Sequence, residues 1–94
     1  MFMANVNTVQ FNGKSNQRII ANDAASAIKA LRNSLGISQS ELAAKAHINA
    51  SIISKVEHGK IRPTVDWLNR IAESVGYIVK VEFSNDGGNQ NENK

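Results

Sequence analysis

The chain contains no cysteine. Disulfides, thiolate zinc sites and cysteine nucleophiles are thereby excluded, and a reducing, cytoplasmic setting is compatible with the composition. Aromatic residues are scarce, at 5% against 41% hydrophobic residues, so the core of a single small domain has to be aliphatic and alanine-rich. No apolar run approaches the length of a membrane span, and no secretory hydrophobic segment follows Met1. Arrangements that carry catalysis are missing too. His47 and His58 are too far apart in sequence to form a close helical metal pair, and there is no glycine-rich phosphate loop or nucleophile elbow. Asp66 and Glu73 read most simply as one solvated helix face. An enzyme, a cofactor, a metal site and a membrane partner are therefore not expected.

Net charge is also small, at +3, but it is unevenly placed. Residues 28–63 hold six basic groups (Lys29, Arg32, Lys45, Lys55, Lys60, Arg62) and two acidic ones (Glu41, Glu57), a local excess of +4. The remaining residues hold five basic and six acidic groups, or −1. Positive charge confined to one segment suits a module that contacts phosphates.

That segment contains the most regular pattern in the chain, SQSELAAKAHINASIISKVEHG from Ser38 to Gly59. Ser38 followed three residues later by Glu41 forms a capping box, so a helix starts there. Leu42, Ala43 and Ala46 give it an apolar stripe whose small residues let another helix come close. Asn49 is a strong N-cap for a second helix, which should end near His58, with Gly59 as the left-handed residue beyond it. At about 100° per residue, Ile53 and Val56 point one way, with Ile52 at the edge of their stripe. Ala50, Ser51, Ser54, Lys55 and His58 share an arc of roughly 140° on the other side. Solvated helix faces usually carry long charged side chains. This face is short and polar, and suits close approach to another surface.

The pattern S-Q-x-E-L-A at Ser38–Ala43, followed by I-N-x-S-x-I-S-K-x-E-x-G at Ile48–Gly59, resembles the phage-repressor-like (XRE-type) helix-turn-helix family over about residues 27–75. The resemblance implies a mainly α fold: a small lambda-repressor-like domain of four to five helices over 22–76. It also implies a recognition helix over 49–58 that enters the major groove of double-stranded DNA. By position, Gln39 resembles a phosphate contact, while Asn49 caps the recognition helix, whose N-terminal amides also suit phosphate. Ala50, Ser51 and Lys55 fall at base-reading positions, with Ser54 beside them. Lys55 suits guanine O6 and N7, and Ala50 suits an apolar edge such as a thymine methyl. His58 closes the same face, and Lys60 and Arg62 sit in the following loop, where they look like phosphate contacts. Arg32 stands where the family has an ion-pair partner for Glu57, so that structural pair is expected. His47 departs from the pattern, because glycine is common there; it should be strained and have no chemical role. A helical packing unit that binds no DNA is the competing reading.

Outside this block, residues 1–21 leave three options open. Thr8–Phe11 alternates and Asn12-Gly13 is a hairpin signal, so the segment is a small hairpin, an arm reaching DNA through Lys14 and Arg18, or a strand added at a dimer interface. A helix over Asp23–Ser34 buries Ala24, Ala27, Ile28, Leu31 and Leu35. Pro63 ends the basic loop, and a further helix capped by Thr64 carries a core stripe of Val65, Leu68, Ile71, Ala72 and Val75, with Trp67 off it. Residues 77–83, YIVKVEF, alternate as a strand that needs a partner, either the N-terminal segment or, as the favoured expectation, the same strand of a second subunit. The Asn/Gly/Glu-rich tail 84–94 is expected to be disordered. The function that follows is a homodimeric transcriptional regulator, a repressor in the first instance, on a palindromic operator. The alternative is an antitoxin, HipB-like in resemblance, that also holds a toxin protein.

Overall fold

In the computed structural model, residues 5–85 are described. Two strands come first, Asn5–Asn12 (β1) and Arg18–Ala21 (β2). Four helices follow: Ala24–Leu35 (α1), Gln39–Ala46 (α2), Ala50–Glu57 (α3) and Val65–Ser74 (α4). A strand Ile78–Asn85 (β3) ends the described chain.

Local chemistry sets the helix boundaries. Each helix starts behind a side-chain cap that accepts from a first-turn amide: Asp23 from Ser26, Ser38 from Glu41, Asn49 from Ser51 and Thr64 from Trp67. The capping box is complete, because Glu41 also accepts from the Ser38 N–H at 2.8 Å. The Ser38 hydrogen bonds hold the Glu41 carboxyl below the usual carboxylate range. α2 closes on His47 in the left-handed region, at φ 58° and ψ 44°. There the Ile48 amide bonds back to the Ala43 carbonyl at 3.0 Å, as in a Schellman end.

The sheet is antiparallel, with order β2-β1-β3, so the N-terminal strand is its middle. Rows Ile19–Phe11–Val79 and Ala21–Val9–Val81 form the inner face and pack on the helices. Phe11 and Val9 are buried together with Ile28, Leu31, Leu42, Ile53, Ile71 and Tyr77. Rows Ile20–Gln10–Lys80 and Arg18–Asn12–Ile78 form the outer face. Of the three options for the N-terminal segment, the hairpin is the one present, and it belongs to the core.

Of the two partners left open for the C-terminal strand, β3 takes the N-terminal one on its inner edge: it pairs with β1 of its own chain, from Asn5–Asn85 to Asn12–Ile78. The reason is that β1 is long enough to serve strands on both sides, and pairing within one chain carries no association entropy. Val65, assigned to the core, is 51% exposed at the rim of a cleft of about 390 Å³, while half-buried Trp67 packs against the core in its place. The hairpin turn is also longer than Asn12-Gly13 suggests. It spans 13–17, with Ser15 and Asn16 at positive φ, closed by the Gly13 amide bonding to the Gln17 carbonyl at 2.8 Å. Gly13 is needed there for space: a Cβ would stand 2.9 Å from the Tyr77 ring. Of the tail expected to be disordered, residues 84 and 85 belong to β3 and the rest lies outside the described residues.

Candidate nucleic-acid interface

The site is built on α2 and α3, which pack against each other while α1 packs on α3. Ile53 and Val56 bury the inner side of α3, and Ile52 is half-buried against the same core. On the outer side Ser51, Lys55 and His58 are exposed, with Ser54 and Ala50 half-buried beside them. Asn49 is exposed at the helix start, where its Oδ1 accepts from both the Ser51 amide and the Ser51 hydroxyl, each at 3.1 Å. The Ser51 hydroxyl thus donates within the protein, and its oxygen retains acceptor capacity. Lys60 and Arg62 are exposed in the loop that leaves the helix. The residues assigned to the DNA face from the sequence lie on α3 or at its two caps, at the start of α2 or in that loop.

His58 is more ordered than sequence alone suggests. Its Nδ1 lies 2.8 Å from the Ser54 carbonyl oxygen. A carbonyl only accepts, so Nδ1 carries the hydrogen and donates it. The exposed Nε2 is then the ring's free acceptor at neutral charge.

What holds the outer face outward is an ionic cluster behind it. Glu57 is the buried acidic residue of α3, 4% exposed. Arg32 of α1 donates to both its oxygens, from Nε at 2.6 Å and Nη2 at 2.9 Å, the fork geometry that makes such pairs strong. The same guanidinium donates from Nη1 to the Ile37 carbonyl in the α1–α2 loop at 3.1 Å. Gln39 Nε2, at the start of α2, donates to Glu57 Oε1 at 3.0 Å. One buried carboxylate therefore ties three helices and a loop together. Burial alone would raise the Glu57 carboxyl, but the hydrogen bonds from Arg32 and Gln39, with the Arg32 charge, outweigh it and hold the group below the usual range. The hydrogen bond to Glu57 in turn raises the Arg32 guanidinium above its ordinary value, against the lowering effect of burial.

The expected Arg32–Glu57 pair is present. The tie from Gln39 to Glu57 was not foreseen. The two residues are eighteen apart in sequence, and the signal available, a glutamine beside the N-cap of α2, pointed outward only. In the structure Gln39 is half-buried, and its amide nitrogen keeps a second hydrogen beyond the one given to Glu57.

Two short helices joined by a tight left-handed turn, the second wedged by its buried side and showing a small polar face, define a DNA-binding transcription regulator. A family model described as Helix-turn-helix matches residues 28–77, more than half the chain, and the chain belongs to that family in its XRE-type form. No curated protein and no solved structure matches it significantly. Among the described residues no helix is long and apolar enough to cross a membrane.

Proposed function

We propose that the protein is a repressor that binds a palindromic operator as a homodimer, with α3 in the major groove of each half-site. The observation that carries this reading is the two-sidedness of α3. Its inner side is clamped through Glu57 by Arg32 and Gln39, while Ser51, Lys55 and His58 are exposed on the other. A helix fixed so firmly by one face presents the opposite face at a defined depth and angle, which base reading requires. Lys55 donates to guanine O6 and N7, Ser51 and Ser54 serve as adaptable polar contacts, and Ala50 meets a thymine methyl. Gln39, Lys60, Arg62 and the amide groups behind Asn49 contact phosphates and set the register, while His58 closes the face with an acceptor nitrogen, Nε2, that suits a donor on a base edge. A single module of this size binds weakly, and a twofold pair reads half-sites about 34 Å apart.

Selection of bound duplexes from a random pool tests the reading. A symmetric consensus supports it, and failure to bind any duplex at low salt removes it. On the selected operator, Lys55→Ala should cost about 1–3 kcal/mol and relax preference at one position per half-site. Lys60→Ala should weaken all sequences alike and flatten the salt dependence by about one unit per phosphate lost. Equal loss on every sequence from Lys55→Ala would refute its role as a reader. A second protein co-purifying in fixed ratio would extend the function to the antitoxin class.

A further inference from the structure

We infer that the outer edge of β3 is the dimer contact, pairing antiparallel with the same strand of a second copy in a register centred on Val81. The inference rests on the dimeric reading above and supplies its surface. β3 stands at the end of the sheet order β2-β1-β3, and among the described residues no strand pairs with its outer edge. That edge runs the length of Ile78–Asn85 and contains no proline, so it offers a row of unpaired amide and carbonyl groups, the usual template for another strand.

The sequence of the strand selects the partner. A twofold axis perpendicular to the sheet keeps the inner faces together, so residues meet in pairs whose numbers add to an even total. Centred on Val81, the register sets Val81 against the partner's Val81 on the inner face. On the outer face it sets Lys80 against the partner's Glu82 and Glu82 against the partner's Lys80. Lys80 and Glu82 are both well exposed, lie 3.4 Å apart within one strand, and are free to swing to cross-strand partners. Moving the centre by one residue brings Lys80 against the partner's Lys80, or Glu82 against the partner's Glu82, and directly opposed like charges are unfavourable. The Val81 register also uses residues 78–84, nearly the whole strand. Charge, apolar matching and pairing length therefore select the same register, and they make the strand complementary to a second copy of itself.

The test uses the full chain. In sedimentation equilibrium, Lys80→Glu and Glu82→Lys should each weaken self-association by about tenfold, because each opposes like charges at two symmetric positions. The double exchange should restore it. A dimer indifferent to the single changes, a double exchange as weak as either single, or a wild-type chain that stays monomeric overturns the inference. Cross-linking gives a readout independent of these equilibria, because the chain has no cysteine of its own. Lys80→Cys protein mixed with Glu82→Cys protein and oxidised should form a covalent pair, which neither forms alone; no cross-link on mixing overturns the register. Half-site duplexes separate this inference from the DNA reading. Lys80→Glu should keep wild-type affinity for one half-site and lose the advantage of the palindrome. A chain that dimerises in this register but binds no duplex would uphold the inference while removing the DNA reading.

Discussion

The helical and strand layers of this protein are held by different physics. Between Ser38 and Gly59 the helix boundaries are made locally: each helix has its own cap and end, and the long-range side-chain hydrogen bonds of the segment converge on a buried carboxylate gripped by Arg32 and Gln39. The sheet has almost no local support. β2 is four residues long, and β3 would have no partner in its own chain without β1, which lies nearly seventy residues earlier. The sheet holds because Phe11 and Val9 reach into the same core as Leu42, Ile53 and Ile71. The contrast teaches that a recognition surface can be locally specified while the platform beneath it depends on the two ends of the chain meeting.

The largest expected effect tests the platform. Phe11→Ala removes a fully buried ring from the middle strand and should cost about 3–5 kcal/mol, seen as a large drop in the thermal midpoint or loss of folding. A loss below about 1 kcal/mol would mean that the helices stand without the sheet, and the contrast would fail. Next comes the ionic cluster. Arg32→Ala leaves Glu57 buried with only Gln39 as partner and should cost about 3 kcal/mol in denaturant unfolding, against 0–1 for a merely exposed pair.

The same cluster predicts a pH dependence. The Glu57 carboxyl is lowered in the folded state, so the unfolded chain takes up its proton first as pH falls. The stabilisation is present above the ordinary glutamate value, about 4.3, and is lost as pH drops from there through the lowered folded value. Stability measured from pH 7 to pH 2 should fall in that acid window for the wild type and fall less steeply for Glu57→Gln. Equal slopes would place the titration elsewhere. The smallest effect concerns the turn. His47→Gly should raise stability by about 0.5–1 kcal/mol, because relief of the left-handed penalty exceeds the entropy that glycine adds to the unfolded chain. A destabilised variant would show that the histidine side chain contributes something its exposed position does not reveal.

The caps at Ser38, Asn49 and Thr64, the stripe Ile53–Val56 and the exposure of Ser51 and Lys55 were legible, because each depends on residues within one or two turns. The Arg32–Glu57 pair was legible only through family resemblance. The Gln39 tie was not, since nothing in local spacing says that a residue at a helix start reaches across to the end of the next helix. Val65 was misassigned for a related reason: helical periodicity gives a face, but the cleft beside Val65 depends on where β1 and β3 lie.

By itself, then, the sequence determined the helix boundaries, the polar outer face of Ala50–Glu57, the concentration of positive charge around it and the alternating faces of both long strands. These follow from short-range hydrogen bonding and periodicity, which act between near neighbours in the chain. Only the tertiary structure decided that β1 becomes the middle strand, that Phe11 completes a helical core, that Glu57 gathers Arg32 and Gln39, and which strand edge stays open. Those outcomes turn on which distant segments bury each other's apolar surface and satisfy each other's backbone groups, a competition that no local pattern records.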